Sequence, residues 1–261
     1  KSRGPCDVMI IRQATEAAFQ KMAIAAFEDE MVKHCLEFAP TLCKLGGEEN
    51  LRIAIRHGMA EASAKGFTRR GSVQFYLDCM LLFGSGFATD PQYPQLAEVM
   101  ARDDFEHEMQ KAEALYDAVK RRLEDVAGTD YRYMRGCLRR LLPMLEGEVP
   151  VQKESFAMDM LRIFDELHPD KAAANGPIAN EAIARRALER AREVHGFTGI
   201  RSVAVFAIVM WLSGHHCDED PFRPWIRETL TNSSVQGTEA VGALLEKQAV
   251  AFFEAYLQEL V

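Results

Sequence analysis

The chain has 261 residues, 48% of them hydrophobic and 27% charged, with a formal net charge of −8. That is enough apolar sequence for one large domain or two small ones, and the acidic balance opposes broad phosphate-backbone binding while suiting a basic partner. The six cysteines are scattered without a CxxC pair, as in a cytoplasmic protein with reduced, buried thiols, and no secretory signal or membrane-spanning run is expected.

Helical periodicity dominates and strand-like alternation is absent. The first predicted helix covers 10–38, with Phe19, Met22, Ala26, Met31, Cys35 and Phe38 at spacings of three to five, and Pro40 ends it. The second covers 48–65 and stops at Gly66, a C-cap position. Thr68 or Ser72 is placed to open the third as N-cap. Its body, 73–83, is nearly continuous apolar sequence, which predicts the most buried helix of its unit. Gly84-Ser85-Gly86 breaks it. Asp90 as N-cap with Pro91 at the first helical position predicts a short helix to Met100, and a long charged helix follows over 103–126. A connector at 128–150 is apolar enough to pack. Helices are then expected over 153–167 (closed by Pro169), 180–195, 202–212, 221–230 and 237–261. In the last, Leu244, Leu245, Ala249, Phe252, Phe253, Tyr256, Leu257 and Leu260 form an amphipathic stripe that serves either the core or a homodimer seam.

The second half of this order repeats the first. Gly66-Phe67-Thr68 recurs as Gly196-Phe197-Thr198, Ser72-Val73 as Ser202-Val203, Met80 as Met210, Gly84 as Gly214, Asp90-Pro91 as Asp220-Pro221, and Pro94 as Pro224, all 130 positions later. Laid together without a gap, 52–100 and 182–230 share fifteen of 49 residues, against about three expected by chance. The expected fold is all-α: a first helical repeat at 9–127, a packed connector at 128–150 and a second repeat at 151–261, forming a pseudo-twofold bundle. Residues kept in both copies read as framework. Residues present in one copy are where activity is sought.

No dinucleotide, P-loop, nucleophile-elbow or HExxH motif occurs, so no cofactor is expected. His215-His216-Cys217-Asp218-Glu219-Asp220 is the one dense run of metal-ligand types. It belongs to the second copy alone and reads first as a polar loop. Its alternative is a metal-dependent enzyme using His215, His216 and Cys217. Asp220 is explained as an N-cap, like Asp90. His34, Cys35 and Cys43 near one helix end read as structural, and the acidic runs at 28–30 and 103–108 as charged helical faces. Arg132, Arg135, Arg139 and Arg140, beside Tyr131 and Tyr133, form a basic patch that either bridges acidic faces or contacts nucleic acid, which the net charge opposes. Trp211, Phe222 and Trp225 join His215, His216 and Asp218 as candidate partner contacts, because exposed aromatics anchor interfaces; burial of the aromatics in the core is the competing expectation.

The succession Gly-Phe-Thr, a buried helix with Met80 four residues before Gly84, then Asp90-Pro91 and Pro94, resembles a group of small helical proteins encoded beside effector genes of bacterial type VI secretion systems. Met9-Ile10-Ile11-Arg12-Gln13 and the 27–38 stretch are similar too. The likeness touches most of the first copy and the second half of the second, and carries no catalytic residue. It implies a non-enzymatic accessory: a chaperone or adaptor that holds an effector, or an immunity protein that blocks one.

Overall fold

A computed structural model describes the backbone of residues 5–260 and the side chains of 15, 16 and 18–260. The side chains of the Met9-Ile10-Ile11-Arg12-Gln13 segment lie outside the described residues. The fold is all-α, with no strand among the described residues.

α1 (Pro5–Phe38) stops before α2 (Pro40–Leu45), where Pro40 takes a first-turn position whose N–H the helix does not need. Gly47, at φ 74°, turns the chain into α3 (Gly47–Ala64). α4 (Arg70–Phe83), α5 (Pro94–Ala101) and α6 (Glu108–Ala127) follow. A 3₁₀ turn at Thr129–Tyr131 leads to α7 (Arg132–Glu146), which lays Cys137, Leu138, Leu141 and Leu145 into the core, so the connector packs as expected. α8 (Phe156–Leu167) precedes α9 (Pro169–Glu189), which kinks at Gly176 and runs on through a π turn at Arg190–Val194. α10 (Ile200–Ser213), α11 (Pro224–Leu230) and α12 (Thr238–Glu259) complete the chain. α10, α11 and α12 begin 130 positions after α4, α5 and α6.

The repeated Gly-Phe-Thr has a physical explanation. Gly66 (φ 85°) and Gly196 (φ 68°) leave their helices in the left-handed region, and Phe67 and Phe197 drop into the core. Neither Thr68 nor Ser72 is the N-cap of α4, as the sequence suggested; Arg69 holds that position without a side-chain bond. The cap comes from the end of the unit instead. Glu108 accepts from the Thr68 N–H (2.7 Å), its hydroxyl (2.8 Å) and the Arg69 N–H (3.0 Å). Glu239 likewise accepts from the Thr198 hydroxyl and the Gly199 N–H, both at 2.6 Å. A carboxylate at a helix N-terminus satisfies orphan donors and meets the positive end of the dipole.

The Asp-Pro pairs do not open the short helices. Asp90 Oδ1 accepts from the Gln92 N–H at 2.9 Å and Asp220 Oδ1 from the Phe222 N–H at 2.9 Å, so each aspartate closes a turn. The second proline of each pair, Pro94 or Pro224, then takes the first helical position. The charged helix accordingly starts at Glu108 rather than near 103.

α10 is the most enclosed helix, packed by α8, α9 and α12, with Ala204, Val205 and Ile208 wholly buried. Its counterpart α4 is less so: Gln74, Phe75 and Asp78, at the equivalent positions, are half-buried. α12 packs on α2, α7, α10 and α11 and buries Leu245, Ala249, Phe252 and Phe253. The other stripe residues, Leu244, Tyr256, Leu257 and Leu260, are half-buried.

Candidate functional site

The two halves meet where α4 and α10 end. Gly84 (φ 92°) and Gly214 (φ 101°) face each other so closely that a Cβ on Gly84 would stand 2.6 Å from the Ser213 carbonyl oxygen, and one on Gly214 2.6 Å from that of Phe83. The bonds across this crossing are exchanged. The Ser85 N–H donates to Asp220 Oδ2 at 3.1 Å, and the His215 N–H donates to Asp90 Oδ2 at 2.8 Å. Each buried aspartate therefore closes its own turn and receives the opposite helix end. Burial pushes the Asp90 carboxyl up, but His215 and the two backbone donors outweigh it and hold it below its ordinary value.

The His-His-Cys-Asp run is spent on this crossing. His215 lies 4% exposed, with Nδ1 3.2 Å from Asp90 Oδ2 and Nε2 3.3 Å from Thr89 Oγ1. Asp218 receives both Nε (2.8 Å) and an NH2 group (2.6 Å) of Arg190, and His195 Nε2 stands 2.8 Å away. Burial, reinforced by Asp218 and Asp220, drives the Cys217 thiol well above its usual range. Among the described residues no group of three or more His, Cys, Asp or Glu is placed to hold a metal ion. His216 is half-exposed and stacks on His215 with ring centroids 3.9 Å apart. It lines a cleft of about 390 Å³ with His57, Glu61, Lys65, Tyr76 and Glu219.

The aromatic candidates are mostly internal. Trp211 is fully buried, stacked on Phe164 at 4.5 Å, with its indole N–H on Asn180 Oδ1 at 3.0 Å. Lys171 donates to the Trp211 carbonyl at 2.6 Å, and burial lowers the pKa of this ammonium to about 7. Phe222 is buried, and Trp225 is half-buried against Phe252. Of the six candidate contacts, only His216 and Trp225 present surface; the others serve the core.

The basic patch also divides. Arg140 donates to the Leu167 carbonyl through Nε (3.0 Å) and an NH2 group (2.7 Å), and Arg135 donates to the Leu260 carbonyl at 3.0 Å. Both cap helix C-termini, where cations are favoured. Arg132 lies over the Tyr133 ring. Arg132, Arg139 and Arg140 are exposed, and Arg135 is half-buried.

A further concavity is one the sequence did not indicate. A cleft of about 560 Å³ is lined by Phe38, Leu42, Leu82, Met134, Phe252 and Tyr256, together with Glu37, Glu259 and Arg223. Its walls come from α1, α2, α4, α7, α10 and α12, and no contiguous segment encodes it. Arg223 is tied back to Asp220 Oδ2 (2.6 Å) and the Leu81 carbonyl (2.9 Å), so its charge is already matched. The counterparts of two of its lining residues are internal. His168 and Trp211, 130 positions after Phe38 and Leu81, are fully buried and in ring contact at 6.4 Å.

No family model, curated protein or solved structure matches the chain. Among the described residues, no helix is long and apolar enough to cross a membrane.

Proposed function

We propose that this chain is a non-enzymatic, protein-binding accessory of a bacterial type VI secretion effector, acting as its chaperone or adaptor or as its immunity protein. The observation that carries the proposal is the 560 Å³ cleft, largely apolar, where α1, α2 and α4 of the first half meet α10 and α12 of the second. Phe38, Phe252 and Tyr256 offer aromatic surface to an apolar anchor, while Glu37 and Glu259 favour a basic residue beside it. The net charge of −8 would speed encounter with a basic partner. The chain itself is read as two tandem repeats, 9–127 and 151–261, about an approximate twofold. That arrangement is supported by the exchanged Ser85–Asp220 and His215–Asp90 bonds, since residue i meeting j while j's counterpart meets i's is the signature of an isologous contact.

The test is co-purification with the product of the neighbouring effector gene. Phe38 is 43% exposed, so Phe38→Asp leaves the fold intact and should abolish association. A toxicity assay then separates the roles: rescue of cells from active toxin marks immunity, and a need only for effector stability or loading marks a chaperone. Failure of the wild-type chain to associate, or association unchanged by Phe38→Asp, defeats the cleft proposal.

A further inference from the structure

The N-terminal part of α1 projects from the body. Every described residue at 16–26 is exposed, and Phe27 is the first to be buried. Among them Phe19 is 66% exposed, Met22 68% and Ile24 47%. A lone helix of this length is marginal in water, and large apolar side chains on it gain by burial.

The body has a place for such a helix. In the second half, α8 is preceded by a turn and by α7, which folds back over α8 and α12. Arg201 of α10 ties the end of α7 down through the carbonyls of Leu145 (2.7 Å) and Gly147 (2.9 Å). In the first half, α1 runs straight through the corresponding point and leaves instead of turning back. The matching face of α4 is less covered: Gln74 and Asp78, which bond His34 of α1 at 3.3 and 2.6 Å, and Phe75 are half-buried where Ala204, Val205 and Ile208 are enclosed. Beside them Tyr116, 57% exposed, packs its ring on Phe75 at 5.8 Å.

We infer that a second copy of this chain supplies the missing helix, the two copies exchanging their α1 arms about a twofold axis, each arm seated on the α4–α6 face of the other. The reciprocal exchange closes, as a twofold contact must. The arm from Pro5 to Ala26 is about 33 Å long, at 1.5 Å per residue, and about 10 Å wide. Counted on both contacting faces and for both arms, the footprint is about 1,300 Å², within the range of stable specific interfaces. The arm's described charges are Glu16 and Lys21, and on α6 Glu113 is exposed one turn from Tyr116.

Light scattering on the full chain at about 20 μM tests this, independently of any effector. The expected mass is twice 29.4 kDa. The double variant Phe19→Asp/Met22→Asp and the seat variant Tyr116→Asp change exposed side chains, so both should keep the wild-type circular dichroism and run as monomers. A wild-type monomer, or a dimer that survives either variant, overturns the proposal.

Discussion

Replacing Gly84 by alanine perturbs the crossing of the two halves at its narrowest point. The backbone there has φ 92° and ψ 155°, a region essentially reserved for glycine, and forcing an L-residue into it costs about 1–3 kcal/mol. The added Cβ would also meet the Ser213 carbonyl oxygen at 2.6 Å and the Gly214 Cα at 3.4 Å. Both are backbone atoms of the opposite half, so no flexible side chain can yield. We expect a total loss of about 3 kcal/mol, which for a chain of this size lowers Tm by about 6–12 °C. Gly71→Ala is the control. Gly71 is exposed in the first turn of α4, and nothing lies within 4 Å of where the new methyl group would stand, so alanine there should be neutral or stabilising by up to about 1 kcal/mol. Because Gly214 faces Gly84, the double variant should cost less than the sum of the singles. Urea denaturation and thermal scans read all four proteins. A loss below about 1 kcal/mol in Gly84→Ala would refute the close crossing.

Glu108→Ala and Glu239→Ala should each cost about 1–2 kcal/mol, the value of a lost helix cap, in denaturation at pH 7. For Glu108, burial pushes the carboxyl up but the Thr68 and Arg69 donors outweigh it; for Glu239, the Thr198 hydroxyl and Gly199 N–H dominate; both end below their ordinary value. Their stabilisation is therefore complete above the usual glutamate range and is lost as the pH falls through the depressed values, so the double alanine variant should show a shallower acid transition. His168 carries a second pH effect. Burial and then Lys171 lower its pKa from 6.5 to about 4, and its Nδ1 accepts from the Lys171 N–H at 3.1 Å. The unfolded chain takes up that proton first, so stability falls as the pH drops from about 6.5 to about 4 and is unaffected above this window. His168→Asn keeps a cap acceptor without the titration and should flatten that part of the profile; an unchanged slope would remove His168 as its source.

The helices were legible from local chemistry. Gly66 and Gly196 stop them, Pro40 and Pro169 mark the ends of the helices before them, and the 130-residue offset holds for α4 to α6 against α10 to α12; that Pro40, Pro94, Pro169 and Pro224 each open a helix was not read from it. The repeated aspartates and glycines were legible as important but not in their role. Asp90 and Asp220 look like N-caps because an Asp-Pro pair locally permits it; their second oxygen finds the opposite half only once the two helix ends cross. Trp211, Phe222 and Asp218 have the chemistry of a contact surface and the positions of a core, and sequence cannot tell which side of α10 is covered when nearly all of it is apolar. The 560 Å³ cleft is further from the sequence still, assembled from six helices widely separated along the chain. Local propensity and period by themselves determined the helices, their stops and their repetition, because those depend on neighbours a few residues away. Tertiary structure alone decided which polar groups are spent inside, which face of α4 is less covered and where the cleft lies, because those depend on what packs against each helix from elsewhere in the chain.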